Sequence, residues 1–111
     1  MSETRRPAAD FSWATVGSEP VLRLQGVLTV WTLGGLLPRL QAAVQERPPV
    51  RVDLGGVVQA DSAALALLVE LARQSVAQGG PAPFFAGLPA KLRDLVRLYH
   101  LQDVLSFDAV A

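Results

Sequence analysis

No cysteine occurs anywhere in the chain, which excludes a disulfide framework, a thiolate metal site and a cysteine nucleophile. An excess of charge is equally absent. Ten basic and ten acidic residues cancel to a formal net charge of zero, so nothing draws nucleic acid or an anionic membrane from a distance. Histidine is reduced to His100 alone, and neither a histidine pair at ligand spacing nor a dense carboxylate loop marks a metal site. The glycine patterns that cradle phosphates are missing, as is the G-x-S-x-G elbow of serine hydrolases. No long hydrophobic run exists either. The longest, near Leu28–Leu37, contains two glycines and falls far short of a membrane span. The opening MSETRRPAAD lacks the apolar core of a secretory signal. A cytosolic domain without cofactor or metal, and without direct membrane insertion, is the expectation.

What remains is a hydrophobic chain. Half of its 111 residues are apolar, enough to build the core of one domain. Residues 1–10 read as a flexible tail and residues 11–111 as a single folded unit. The most informative stretch is 50–78. Val50 to Leu54 alternates apolar residues with Arg51 and Asp53, as a buried or half-buried strand does. Gly55-Gly56 is expected to end that strand. Asp61 and Ser62 are both strong helix N-cap types, and from Ala63 the chain turns to Ala, Leu, Glu, Arg and Gln until Gly79-Gly80-Pro81 stops it. The apolar arc of this helix, centred on Leu68 and bounded by Leu67 and Val69, spans roughly 200°, against the ~100° that packing on one sheet face requires. Either the helix is buried on two sides, or one margin meets another protein.

On the N-terminal side, Phe11–Val16 and Val21–Leu28 alternate around a Gly17–Pro20 turn and read as a hairpin. Leu33, Leu36, Leu37, Leu40 and Val44 follow helical spacing, with Pro38 inside the pattern. A helix beginning near Leu36, or a broken one over Thr32–Gln45, is expected. Downstream come a short strand at Pro83–Ala86, a helix at Ala90–Tyr99 opened by Pro89, and a last strand or docked tail at Val104–Val110. Helical crossovers after the hairpin imply parallel strands. The expected fold is α/β: a mixed sheet, N-terminal antiparallel hairpin then parallel strands, with helices mostly on one face.

Asp61-Ser62 is the leading candidate for function. One of the two side chains caps the helix, and a hydroxyl at a helix N-terminus is well placed either to carry a phosphate or to touch a partner. Trp13 and Trp31 read either as hairpin and core anchors or as partner-facing aromatics. A Ser62–His100 catalytic pair lacks any accompanying motif, and His100 has the position of a surface residue at a helix C-terminus.

The stretch VDLGGVVQADSAALALLVELARQ resembles the signature of STAS domains, the anti-sigma-factor-antagonist family: a strand ending in D-L, a short loop, then D-S/T and a Leu-rich helix. LRLQGVLTVWTLGGLL and LVRLYHLQDVL resemble the family's second strand with first helix and its last helix with tail, so the likeness spans nearly all of 11–111, read as a single STAS domain. Ala63-Ala64-Leu65 stands where many members carry a small residue, a glycine and the leucine. The tail and the LTxxTL stretch are most similar to the MlaB subfamily. That resemblance implies a non-enzymatic subunit docked on the cytoplasmic, MlaF-like ATPase of an ABC phospholipid transporter that works with a permease and maintains outer-membrane lipid asymmetry. The protein would then be peripheral to the inner membrane through its partner. The alternative it implies is an anti-sigma-factor antagonist whose partner is an anti-sigma-factor kinase, because the phosphorylated serine of sporulation-type antagonists matches Ser62. The expected contact patch is Gln59, Asp61, Ser62, Ala63 and Leu67, with Thr29 and Trp31 at the adjacent strand end. Open α/β sheets gather partners at such carboxyl ends.

Overall fold

Alternating side chains build the sheet. In the computed structural model, which describes residues 8–107, β1 (Asp10–Val16) and β2 (Glu19–Leu28) form an antiparallel hairpin. β3 (Arg51–Ala60), β4 (Phe84–Ala86) and β5 (Ser106–Phe107) then add in parallel, and the strands lie side by side in chain order. Parallel neighbours need a crossover. These are α1 (Leu33–Glu46) between β2 and β3, α2 (Ser62–Ala77) between β3 and β4, and α3 (Ala90–Leu98) between β4 and β5. Leu22, Leu24, Val52, Leu54 and Phe85 bury in one core with Leu36, Leu40, Leu68, Leu71 and Leu92 of the helices. On the other sheet face Arg23 and Asp53, paired in register, stand 3.7 Å apart. The mixed sheet, the hairpin and the placement of helices mostly on one face are as expected.

The wide apolar arc of α2 has an internal explanation. This helix lies in the middle of the helical layer, packed against the sheet and flanked by α1 and α3. Ala64, Leu65, Leu67, Leu68, Leu71, Ala72 and Ser75 are all buried. Toward α1 the seam is closed by two side-chain amides: Gln74 Nε2 donates to the Gln41 carbonyl at 2.9 Å and Gln78 Nε2 to the Gln45 carbonyl at 2.8 Å. Of the two explanations open in the sequence, burial on two sides is the one realised.

Several boundaries differ from expectation. Gly55-Gly56 does not end β3, which runs on to Ala60. The glycines instead serve an irregularity, since the β2–β3 register shifts between Arg23 and Gln25. There a Cβ on Gly56 would sit 3.2 Å from the Gln25 Cβ, and an absent side chain lets the strands stay close. α1 is one unbroken helix from Leu33, and it keeps Pro38 beyond its first turn. The missing N–H forfeits one hydrogen bond that the buried stripe of Leu33, Leu36, Leu40 and Val44 outweighs. Asp10, counted with the tail, belongs to β1 and accepts from Arg39 of α1 at 2.9 Å; residues 1–7 of that tail lie outside the described residues. The last strand contracts to Ser106–Phe107, and 108–110 of its expected span likewise lie outside.

Candidate functional site

The carboxyl ends of β2 and β3 meet the first turn of α2, and Asp61 ties the three together. Its backbone is extended (φ −129°, ψ −167°), the conformation of an N-cap residue. Oδ1 accepts from the Ala63 N–H at 2.8 Å, closing one of the orphan donors of the helix. Oδ2 accepts from the Val30 N–H at 3.1 Å, and the Asp61 N–H donates to the Leu28 carbonyl at 3.2 Å. Both oxygens of the carboxylate are therefore engaged within the fold.

Between β2 and α1 the chain makes a tight turn at Thr29-Val30-Trp31-Thr32. The Thr29 carbonyl accepts from the N–H groups of Thr32 and Leu33, each at 3.0 Å, and Thr32 Oγ1 accepts from the Thr29 N–H at 2.9 Å. With those polar groups paired inward, the Val30 and Trp31 side chains project outward, 62% and 91% exposed. Register places Val27 beside Gln59 and Leu28 beside Ala60, so Gln59 and the exposed Val58 share this end of the sheet. A tryptophan so fully in water presents a large apolar surface with a polar N–H, the type of side chain enriched at interface centres.

The fold brings the expected residues to one end of the sheet but does not expose all of them. Trp31, Gln59 and Ser62 are exposed, while Asp61 and Ala63 are half-buried. Thr29 and Leu67 are buried, at 7% and 4% exposure. Leu67 belongs to the core cluster because the α2 arc is covered on both sides, so it offers a partner no surface. Val30 and Val58, which do offer surface, escaped sequence reasoning. Val30 belongs to a turn whose outward residues no periodicity marks, and Val58 follows the register shift that breaks the alternation of β3.

Capping is divided unequally between Asp61 and Ser62. Asp61 takes the cap, and the exposed Ser62 hydroxyl makes no hydrogen bond. Its neighbour Ala64, at the position where the resemblance places a glycine, is fully buried, so that methyl group points into the core and not toward Ser62. His100 serves backbone geometry. It adopts a left-handed φ of 57°, with its N–H donating to the Arg97 carbonyl at 3.2 Å and the Leu101 N–H to the Val96 carbonyl at 2.9 Å. That is a Schellman closure of α3. The His100 side chain is also without a hydrogen bond, so Ser62 and His100 do not form the nucleophile–base contact that hydrolysis requires. Among the described residues no group of three His, Cys, Asp or Glu side chains is placed to hold a metal ion. No helix among them is long and apolar enough to cross a membrane.

A strand, a capped helix bearing a free serine and an exposed turn thus meet at one end of the sheet. The family model described as "Mlab, STAS domain" matches residues 11–106. The chain belongs to the STAS domain family. Solved structures share this fold. An anti-sigma factor antagonist from Mycobacterium paratuberculosis superposes with a TM-score of 0.73 at 16% identity, over 93% of this chain and 87% of that one. The anti-sigma factor antagonist SpoIIAA in its unphosphorylated form gives 0.65 at 16% identity, over 90% and 89%. A protein with a SpoIIAA-like fold from Shewanella loihica gives 0.52 at 14% identity, over 97% and 90%. No curated protein matches the sequence. The likeness to the anti-sigma factor antagonists is one of fold.

Proposed function

We propose that this STAS domain is a protein-binding regulator of the anti-sigma-factor-antagonist kind, docking through the surface around Trp31, Val30, Gln59 and Ser62 and switched by phosphorylation of Ser62. One observation carries the reading. Because Asp61 supplies the cap, the Ser62 hydroxyl stands free and exposed at the helix N-terminus, where a phosphate gains from the helix dipole. The buried Ala64 methyl leaves the approach to Ser62 open. A phosphoryl group adds about −1.5 to −2 charges beside the apolar Val30 and Trp31, which opposes docking of an apolar partner surface. The partner is then an anti-sigma factor with kinase activity, and the protein works in the cytoplasm.

A second reading has its own support in the description carried by the matching family model. In it the same surface docks on the ATPase of an ABC phospholipid transporter, and Ser62 is an unmodified contact residue. Co-purification followed by incubation of the recovered complex with ATP separates the two. A kinase-like partner and phosphate on Ser62, mapped by mass spectrometry, support the first. An ABC ATPase with its permease and an unmodified Ser62 support the second. Ester or phosphate hydrolysis that disappears in Ser62→Ala would contradict both.

A further inference from the structure

We infer that Asp61 is the positioning residue of the docking surface: its one carboxylate holds the Val30–Trp31 turn against the α2 N-terminus and so sets how Trp31 is presented to a protein partner. The inference rests on the docking reading and goes beyond it, because the cap alone needs only one oxygen. The second oxygen reaches 31 residues back in sequence to the Val30 N–H at 3.1 Å. The other bonds of the turn join Thr29, Thr32 and Leu33 to one another and, from the Thr32 hydroxyl, to the Val27 carbonyl of β2 at 2.5 Å. None of them reaches α2. Asp61 makes that connection twice, since its own N–H also holds the Leu28 carbonyl at the end of β2. Trp31 and Ser62 come from different crossovers, and a partner that reads both needs them at a constant separation. The device also explains why a polar side chain half-buried at this junction is an aspartate: serine, threonine and asparagine can cap a helix, but only a carboxylate accepts at two oxygens with equal strength.

Asp61→Ser tests this, since serine keeps the cap and cannot reach Val30. Made in a Trp13→Phe background, it leaves Trp31 as the single tryptophan. In the isolated protein the Val30 amide should exchange with solvent about tenfold faster or more, the size expected for losing a bond to a charged acceptor. The Ala63 amide should stay slow, and the fluorescence anisotropy of Trp31 should decay faster. Unchanged Val30 exchange and unchanged anisotropy in a folded Asp61→Ser protein would overturn the inference. If the variant does not fold, the wild-type protein decides: a Val30 amide exchanging at its unprotected rate overturns it, and a protected one upholds it. None of these readouts needs a partner, so they succeed or fail separately from the docking reading. The functional arm is a double-mutant cycle on affinity for the co-purified partner. Asp61→Ser should weaken binding in the wild-type background and add nothing to Trp31→Ala. Full additivity would mean that Asp61 does not act through Trp31.

Discussion

Replacing Asp61 by alanine and, separately, Ser62 by alanine should give opposite results for two adjacent residues at one helix end. Asp61→Ala removes the acceptor of the Ala63 N–H at 2.8 Å and that of the Val30 N–H at 3.1 Å. Loss of an N-cap costs about 0.5–2 kcal/mol. The second bond, made to a charged acceptor but near solvent, adds about 1 kcal/mol. Together the destabilisation comes to about 1.5–3 kcal/mol, and at about 4 °C per kcal/mol for a domain of this size the melting temperature falls by about 6–12 °C. Ser62 is the first residue of the helix, exposed and without a hydrogen bond, so Ser62→Ala should stay within about 0.5 kcal/mol of wild type. Urea denaturation of the three proteins, with thermal melts alongside, measures both. Equal losses for the two variants, or a larger loss for Ser62→Ala, would show that Ser62 shares the cap and would remove the free hydroxyl on which the switch depends.

Other expectations follow from packing and backbone geometry. Leu67→Ala and Leu68→Ala should each cost about 2–5 kcal/mol of stability, because both side chains are buried in the core cluster; an unchanged denaturation midpoint for Leu67→Ala would return that residue to the docking surface. His100→Gly should raise stability by up to about 1 kcal/mol, since glycine accepts the left-handed conformation that a β-carbon resists. The comparison is internal: α2 closes with the same motif around Gly79 at φ 89°. A melting temperature lowered by His100→Gly would mean that the imidazole contributes more than its backbone position.

The fold was readable from local chemistry, and the site only in part. Alternation at 11–28 and 50–54, helical spacing at 33–44 and the stop at Gly79-Gly80 are short-range signals, and each element forms where they stand. The reading failed where a long-range partner decides. Periodicity gives the angular width of an apolar arc but not what covers it, and α1 and α3 cover both margins of α2; Leu67, on one margin of that arc, is buried in the core. Gly55-Gly56 has the composition of a turn, but its role depends on the side chains of β2 across the register shift. The Asp61-Ser62 pair was recognisable as a cap, while the division of labour between the two residues depends on Val30, which no local pattern connects to them. Trp31 could be named as a core anchor or a contact residue. Its exposure follows from the hydrogen bonds of Thr29 and Thr32 that close the turn beneath it.

The central claim is that a protein partner docks over Ser62 and the neighbouring turn. Calorimetric titration of the co-purified partner against wild-type, Ser62→Glu and Ser62→Ala proteins tests it most directly. A carboxylate at this exposed N-terminal position favours the helix by about 0.3–1 kcal/mol and is opposed by repulsion from the adjacent Asp61, about 1 kcal/mol at contact distance in water, so Ser62→Glu should fold and melt close to wild type. Desolvating that carboxylate under an apolar partner costs several kcal/mol, and its affinity should fall by at least about tenfold, which requires only about 1.4 kcal/mol. Ser62→Ala should bind nearly as wild type does. A folded Ser62→Glu protein that binds as tightly as wild type would place the α2 N-terminus outside the interface and contradict the account.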